Sequence, residues 1–221
     1  MVATIDGPAG VGKSSVAKRA AKASAFLYVN SGSFYRAITL AVLERGGDPG
    51  DARLVLAAAR ACRLDMHEGR VRMNGRDVED QIRSPEIDSW VAPHSSIPEV
   101  RDIVNARLRE VASRNDVIVE GRDIGTVVFP HAEVKVFLDA DVRTRALRRH
   151  GQGLSSLPLQ EVERGIAARD GVDMAKPKGR LEPAPDSIRI DTTHLTIDQV
   201  CERVLRAILE KKNNPGDICR L

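Results

Sequence analysis

One lysine, the hydroxyl beside it and the glycines around them carry the most specific chemistry in this chain. In "IDGPAGVGKSS", Ile5 to Ser15, Gly7 and then Gly12-Lys13-Ser14 fit the spacing G-x-x-x-x-G-K-[ST]. Gly7, Pro8, Ala9, Gly10, Val11, Gly12, Lys13, Ser14 and Ser15 are therefore the candidate ATP-binding loop. Its backbone N–H groups and the helix start behind it can cradle phosphate oxygens. Lys13 is expected to reach the β and γ phosphates, and Ser14 to hold Mg²⁺. A structural glycine turn is the competing reading, disfavoured by the strand-like "VATI" before the loop and the helical pattern after it.

Two further clusters offer charge. In "NSGSFYR", Ser31 taken alone reads as a helix N-cap, whereas the planar fork of Arg36 can hold a phosphate or carboxylate at two points. In "VIVEGRD", Glu120, Arg122 and Asp123 follow an apolar run, and charges leaving a buried strand are costly unless paired or used. Arg122 can hold an acceptor group, and Glu120 can join the Mg²⁺ environment through water. Arg145, Arg148 and Arg149, with Arg164 and Arg169, would be a solvated helix face in most proteins. Beside a phosphate loop they become candidates for stabilising the charge that spreads during phosphoryl transfer. The five histidines show no metal-ligand spacing, Trp90 reads as packing, and no Ser-His-Asp arrangement can be argued.

These residues need elements to position them. Val2 to Ile5, Phe26 to Val29, the run before Glu120, Val134 to Leu138 and "SIRID" read as strands. Helical spacing covers Lys13 to Ser24, Phe34 to Leu43, Ala52 to Cys62, Ile97 to Val111, Asp141 to Arg149, Leu159 to Arg169 and Ile197 to Leu209. Between Arg63 and Val78, Glu68-Gly69 and Asn74-Gly75 punctuate short alternating pieces, which suggests an inserted antiparallel hairpin. Gly151 to Pro185 reads as an Arg-rich flap, and Asn213 to Leu221 as a frayed tail. The expected fold is α/β, a three-layer P-loop fold with a central parallel sheet and right-handed crossovers, with sites at the strands' C-terminal ends.

With 221 residues the chain suits one sizeable α/β domain, and its 3% aromatic content leaves the core to Val, Ile, Leu and Ala. A net charge of +3, spread without a long basic run, gives no nucleic-acid arm. Cys62, Cys201 and Cys219 are too few and too scattered for a disulfide framework, so a reducing cytoplasm is the default. Neither a membrane-spanning run nor a secretory leader is legible, and a monomer is expected.

Taken together these stretches resemble the bacterial cytidylate kinases (CMP/dCMP kinases) among the nucleoside monophosphate kinases. The likeness runs through "IDGPAGVGKSSVAKRAA", "YVNSGSFYRAITLAVLERG", "IPEVR", "VEGRDIGTVVFPHAEVKVFLDADVRTRALRR", Arg169-Asp170 and "IDTTHLTIDQV". It implies transfer of a phosphoryl group from MgATP to CMP or dCMP, with no nucleic-acid or membrane partner. It also implies a core (about 1–36, 97–148 and 186–212), a monophosphate-binding insertion with a small antiparallel sheet (about 37–96) and a short helical lid (about 149–185). By resemblance, Ser31, Arg36, Arg101 and Arg122 bind the monophosphate, Asp123 lies near the base and Asp173 meets the pentose. Lys176 stands on the acceptor side of the lid where the family has Arg, and Arg145, Arg148 and Arg149 match the arginines flanking the lid. Asn30 replaces a usual Asp, Ala92 a usual Ser, and "KPKGRLEPAP" a usual Ser-Pro-Leu segment. Alternatives are a kinase of the same layout acting on UMP or a small hydroxylated acid such as shikimate, and a nucleotide-dependent switch. Against the switch, the chain has no N-K-x-D stretch.

Overall fold

The structure, a computed structural model, describes residues 1–151, 157–176 and 178–213. In chain order the elements are β1 (Val2–Asp6), α1 (Lys13–Ser24), β2 (Leu27–Asn30), α2 (Ser31–Leu43), α3 (Ala52–Ala61), β3 (Leu64–His67), β4 (Arg70–Met73) and β5 (Arg76–Asp77). There follow α4 (Pro85–His94), α5 (Pro98–Ala112), β6 (Val117–Gly121), β7 (Val134–Asp139), α6 (Val142–Gly151), α7 (Leu159–Ala175), β8 (Ile188–Asp191) and α8 (Ile197–Asn213). They fall into two compact units: Met1–Phe26 with the described residues from Val117 onward, and Leu27–Asp116.

In the first unit β6, β1, β7 and β8 lie side by side in that order, all parallel. Ile5 aligns with Glu120 on one side and Val136 on the other. Parallel strands covered on both faces read as nearly continuous apolar runs, and Ala3, Ile5, Ile118, Val119, Val136 and Leu138 are buried. Lys135 of β7 interrupts the apolar run as a buried cation, and its ammonium pairs with Asp186 at 2.8 Å. Helix α1 packs on β6 and on α8, which turns Val200, Val204 and Ile208 inward. Helix α6 packs on α7 through Ala146, Val162 and Ile166.

In the second unit α2 is the central helix, with Phe34, Ala37 and Ile38 fully buried and α3 and α4 against it. Asp51 starts α3 by accepting the Arg53 N–H at 2.8 Å. The inserted piece is a three-stranded antiparallel meander, β3-β4-β5, rather than a simple hairpin. Both residues of each expected turn, Glu68-Gly69 and Asn74-Gly75, have φ between 51° and 83°, the left-handed pair that suits the twist of a two-residue connection.

The structure departs from the expected elements at three places. Helix α2 begins at Ser31 with extended Asn30 as its N-cap, so Ser31 sits in the first turn and is not the cap. Helix α7 continues past Arg169 to Ala175 and takes Asp170 and Asp173 with it. Helix α4 had not been expected; Ser84 caps it by accepting from Ile87 N at 3.3 Å, and Pro85 occupies its first turn. Parts of the expected flap, 152–156 and 177, and residues 214–221 of the expected tail lie outside the described residues. Among the described residues no helix is long and apolar enough to cross a membrane.

Candidate active site

Strand β1 ends in the candidate phosphate loop. Gly7 has φ +149°, and a Cβ there would stand 2.2 Å from the carbonyl oxygen of Leu138, so only glycine lets the chain leave the sheet at this point. The loop opens into α1, whose N-cap is Gly12. That helix has no capping side chain and no acidic residue in its first turn. The positive end of its dipole is therefore not neutralised by its own side chains, the arrangement that favours an anion.

Lys13 is the first residue of α1 and only 7% exposed. Its ammonium donates to the carbonyls of Gly7 at 2.8 Å and Pro8 at 2.6 Å, folded back over the loop. Burial and the nearby Arg122 guanidinium push its pKa well below the ordinary value, against the opposing pull of Glu120, Asp6 and Asp173. Ser14 Oγ donates to Glu120 Oε2 at 3.0 Å. The hydroxyl and carboxylate proposed for Mg²⁺ are thus brought together, one from the helix start and one from the neighbouring strand. Among the described residues no trio of His, Cys, Asp or Glu forms a metal cluster. A cation here would need ligands from nucleotide and water as well.

The loop after β6 carries the next charges. Arg122 Nε donates to Asp173 Oδ2 at 3.0 Å, and Lys176 Nζ donates to Asp173 Oδ1 at 2.9 Å. Burial alone would raise the Asp173 carboxyl, but the two cations together hold it below its usual range. Arg122, Asp173 and Lys176 therefore form one group, and the extension of α7 beyond Arg169 is what brings the last two there. Asp123 is buried as the chain turns away from β6.

The arginines of α6 differ among themselves. Arg145 is 4% exposed. It donates to the Ala140 carbonyl at 2.9 Å and the Ala9 carbonyl at 3.0 Å, and pairs with Asp170 at 2.6 Å. Its guanidinium lies under the phosphate loop with its charge matched. Arg148 donates to Thr192 Oγ1 at 3.0 Å and to Thr192 O at 2.6 Å. Arg149, the next residue of α6, is half-buried.

Three residues beside this cluster have contacts to which the sequence reading gives no role. Asp170 anchors Arg145, and Thr192, 2% exposed, holds Arg148. Asp6 accepts the N–H groups of Ile124 at 2.9 Å and Gly125 at 2.7 Å. Burial pushes Asp6 up to about 6 even though these two donors pull the other way. For Asp170 and Thr192 the available signal was their place in "RD" and "DTTHL"; for Asp6 it was a carboxylate closing a strand immediately before the loop.

The remaining candidates belong to the second unit. Ser31 is buried at the start of α2. Arg36 lies one turn on and donates to Asp88 Oδ1 at 2.7 Å. A Cβ on Gly32 would come within 2.8 Å of Arg36 Nη1, so the glycine leaves room for that fork to fold back over the helix start. Arg101 of α5 is 6% exposed and donates to the Ser95 carbonyl at 3.1 Å. Ala92 carries no hydroxyl, and its carbonyl accepts from Ser95 Oγ and Ser96 Oγ.

The family model described as "Cytidylate kinase" matches residues 3–210. The chain is 42% identical over 217 residues to a cytidylate kinase of Caldanaerobacter subterraneus subsp. tengcongensis, covering 97% of this chain and 96% of that protein. It is 39% identical over 212 residues to a cytidylate kinase of Limosilactobacillus reuteri, covering 92% and 93%. Among solved structures it is similar to a shikimate kinase from Bacteroides thetaiotaomicron, with TM-score 0.50, 12% identity and coverage of 96% and 98%. That distant likeness bears on the α/β fold alone. A match across nearly the whole length, at this identity and with these motifs in place, makes the chain a member of the cytidylate kinase family.

Proposed function

We propose that this chain transfers the γ-phosphoryl group of ATP to the phosphate of CMP or dCMP, giving ADP and CDP or dCDP. The observation that carries the reading is the phosphate loop itself. Lys13 is buried over it, and Ser14 is hydrogen-bonded to Glu120 at 3.0 Å. The family's name supplies the acceptor.

In the reaction an oxygen of the acceptor phosphate attacks the γ-phosphorus while the bond to the β–γ bridging oxygen breaks. The acceptor's second pKa is about 6, so its oxygen is already ionised at neutral pH and no general base is required. Catalysis then rests on alignment and on stabilising spread charge. Lys13 would exchange the Gly7 and Pro8 carbonyls for phosphate oxygens. Ser14 would hold Mg²⁺ directly and Glu120 through water; the bound ion would neutralise charge on the β and γ phosphates.

Ser31, Arg36, Arg101 and Arg122 would hold the CMP phosphate, with Asp123 near the base and Asp173 and Lys176 toward the pentose. Arg148 and Arg149 remain candidates for charge stabilisation. The occupied guanidinium of Arg145 supports a role in holding the loop rather than the moving phosphoryl group. The same reading makes 149–185 the lid and 37–96 the acceptor insertion, and the protein a cytoplasmic monomer.

Coupled ADP release with CMP, dCMP, UMP, AMP and shikimate tests the proposal. Turnover with CMP or dCMP well above the others is expected. Acceptor-independent turnover, or none with any acceptor, would defeat it.

A further inference from the structure

We infer that Asp6, the last residue of β1, is a positioning residue that sets the spacing between the phosphate loop and the loop after β6 that bears Arg122 and Asp123. The inference rests on the kinase reading for its catalytic consequence and on geometry for the clamp.

The segment Ile124–Val128 that follows Asp123 is a single wide turn of π type, closed by Phe129 N–H donating to Ile124 O at 2.7 Å. Such turns are uncommon and need support for their first amides. Asp123 stands at the capping position, but its side chain makes no capping bond. The cap comes instead from the adjacent strand. Asp6 Oδ1 takes the Ile124 N–H at 2.9 Å and Asp6 Oδ2 takes the Gly125 N–H at 2.7 Å. One oxygen on each of two successive amides fixes both the distance and the rotation of the turn.

The approach is close because Gly125 has no side chain. A Cβ there would stand 2.9 Å from Thr4 Oγ1 and 3.4 Å from Asp6 Oδ2. Asp6 is 5% exposed, so water has little access to replace either bond. The residue after Asp6 is Gly7, the first of the phosphate loop, and the residue before Ile124 is Asp123. A single carboxylate therefore joins the exit of β1 to the turn that follows Arg122 and Asp123. A displacement of about 1 Å between reacting groups can cost on the order of a hundredfold in rate.

Two substitutions attack the clamp from opposite sides. Asp6→Asn keeps the shape but turns an NH₂ toward one of the two donors. Gly125→Ala pushes the turn off an intact carboxylate. Each is measured with saturating CMP for kcat, with varied ATP for KM, by thermal melting, and by hydrogen exchange at Ile124 and Gly125. We expect kcat to fall by roughly a hundredfold in both, with a much smaller change in the KM for ATP and a folded protein. Faster exchange should be confined to the turn.

Wild-type kcat in either folded variant would overturn the inference. So would losses of kcat that only track a lowered melting temperature, since that is a purely structural effect. If the wild-type chain phosphorylates no monophosphate, the kinase reading fails; the exchange measurement would still decide whether the clamp exists.

Discussion

Arg145 and Asp170 form an ion pair at 2.6 Å between side chains that are only 5% and 10% exposed, and the same guanidinium also holds the Ala9 carbonyl of the phosphate loop. Removing one partner leaves the other charge buried. Arg145→Met should therefore destabilise the fold by about 3–5 kcal/mol, a fall in melting temperature of roughly 10 °C for a chain of this size. ATP affinity should weaken with it. A melting temperature within a degree or two of wild type would show that the pair does not brace the loop.

Lys13 makes the opposite forecast. Its ammonium is desolvated and held by two carbonyls, so deleting it removes a charge that is costly to bury. Lys13→Ala should leave the melting temperature near that of wild type, while turnover drops by about a hundredfold or more. ADP release and a melting curve on the same preparation check both halves; near-wild-type turnover would contradict the donor assignment.

Arg122, Asp173 and Lys176 give a pH-dependent forecast. A carboxyl whose folded pKa lies below its unfolded value adds stability above the unfolded value, and that stability is lost as pH falls through the folded one. Asp173 is such a group. The melting-temperature difference between wild type and Asp173→Asn should be constant from neutral pH down to about 4, then shrink on further acidification. A difference independent of pH down to the acid limit of folding would mean that the carboxylate is not held by these cations.

Lys176 contacts Asp173 through a single ammonium. Lys176→Arg adds a second donor position. It should change the KM and kcat for CMP more than the affinity for ATP. Equal effects on both substrates would argue against a contact on the acceptor side.

Much of this arrangement was legible in the chain. Lys13 to Ser24 reads as a helix because Ala and Lys follow a glycine turn, and α1 has those bounds. The element α4 was not legible. Its ten residues include Pro93, and the start signal at Ser84-Pro85 precedes only Ile87 and Val91 as regularly spaced buried apolar residues.

The end of α7 was hidden for a related reason. Val172 and Met174 are 54% and 58% exposed, so past Arg169 the apolar residues do not follow the buried face of the helix. That extension decides where Asp173 and Lys176 lie. The role of Asp6 was not legible because the glycine–lysine spacing begins at Gly7, one position after the carboxylate that braces the neighbouring turn.

The carbonyl-bound state of Lys13 changes how nucleotide capture is understood. A lysine in open solvent sheds its water only when a ligand arrives, and that dehydration opposes binding. Here two of the three ammonium donors are already committed, because Gly7 and Pro8 accept from them in place of water. Capture of a triphosphate thus becomes an exchange of oxygen ligands around an ammonium largely desolvated when the chain folded, and part of the affinity for ATP resides in the preorganisation of the loop.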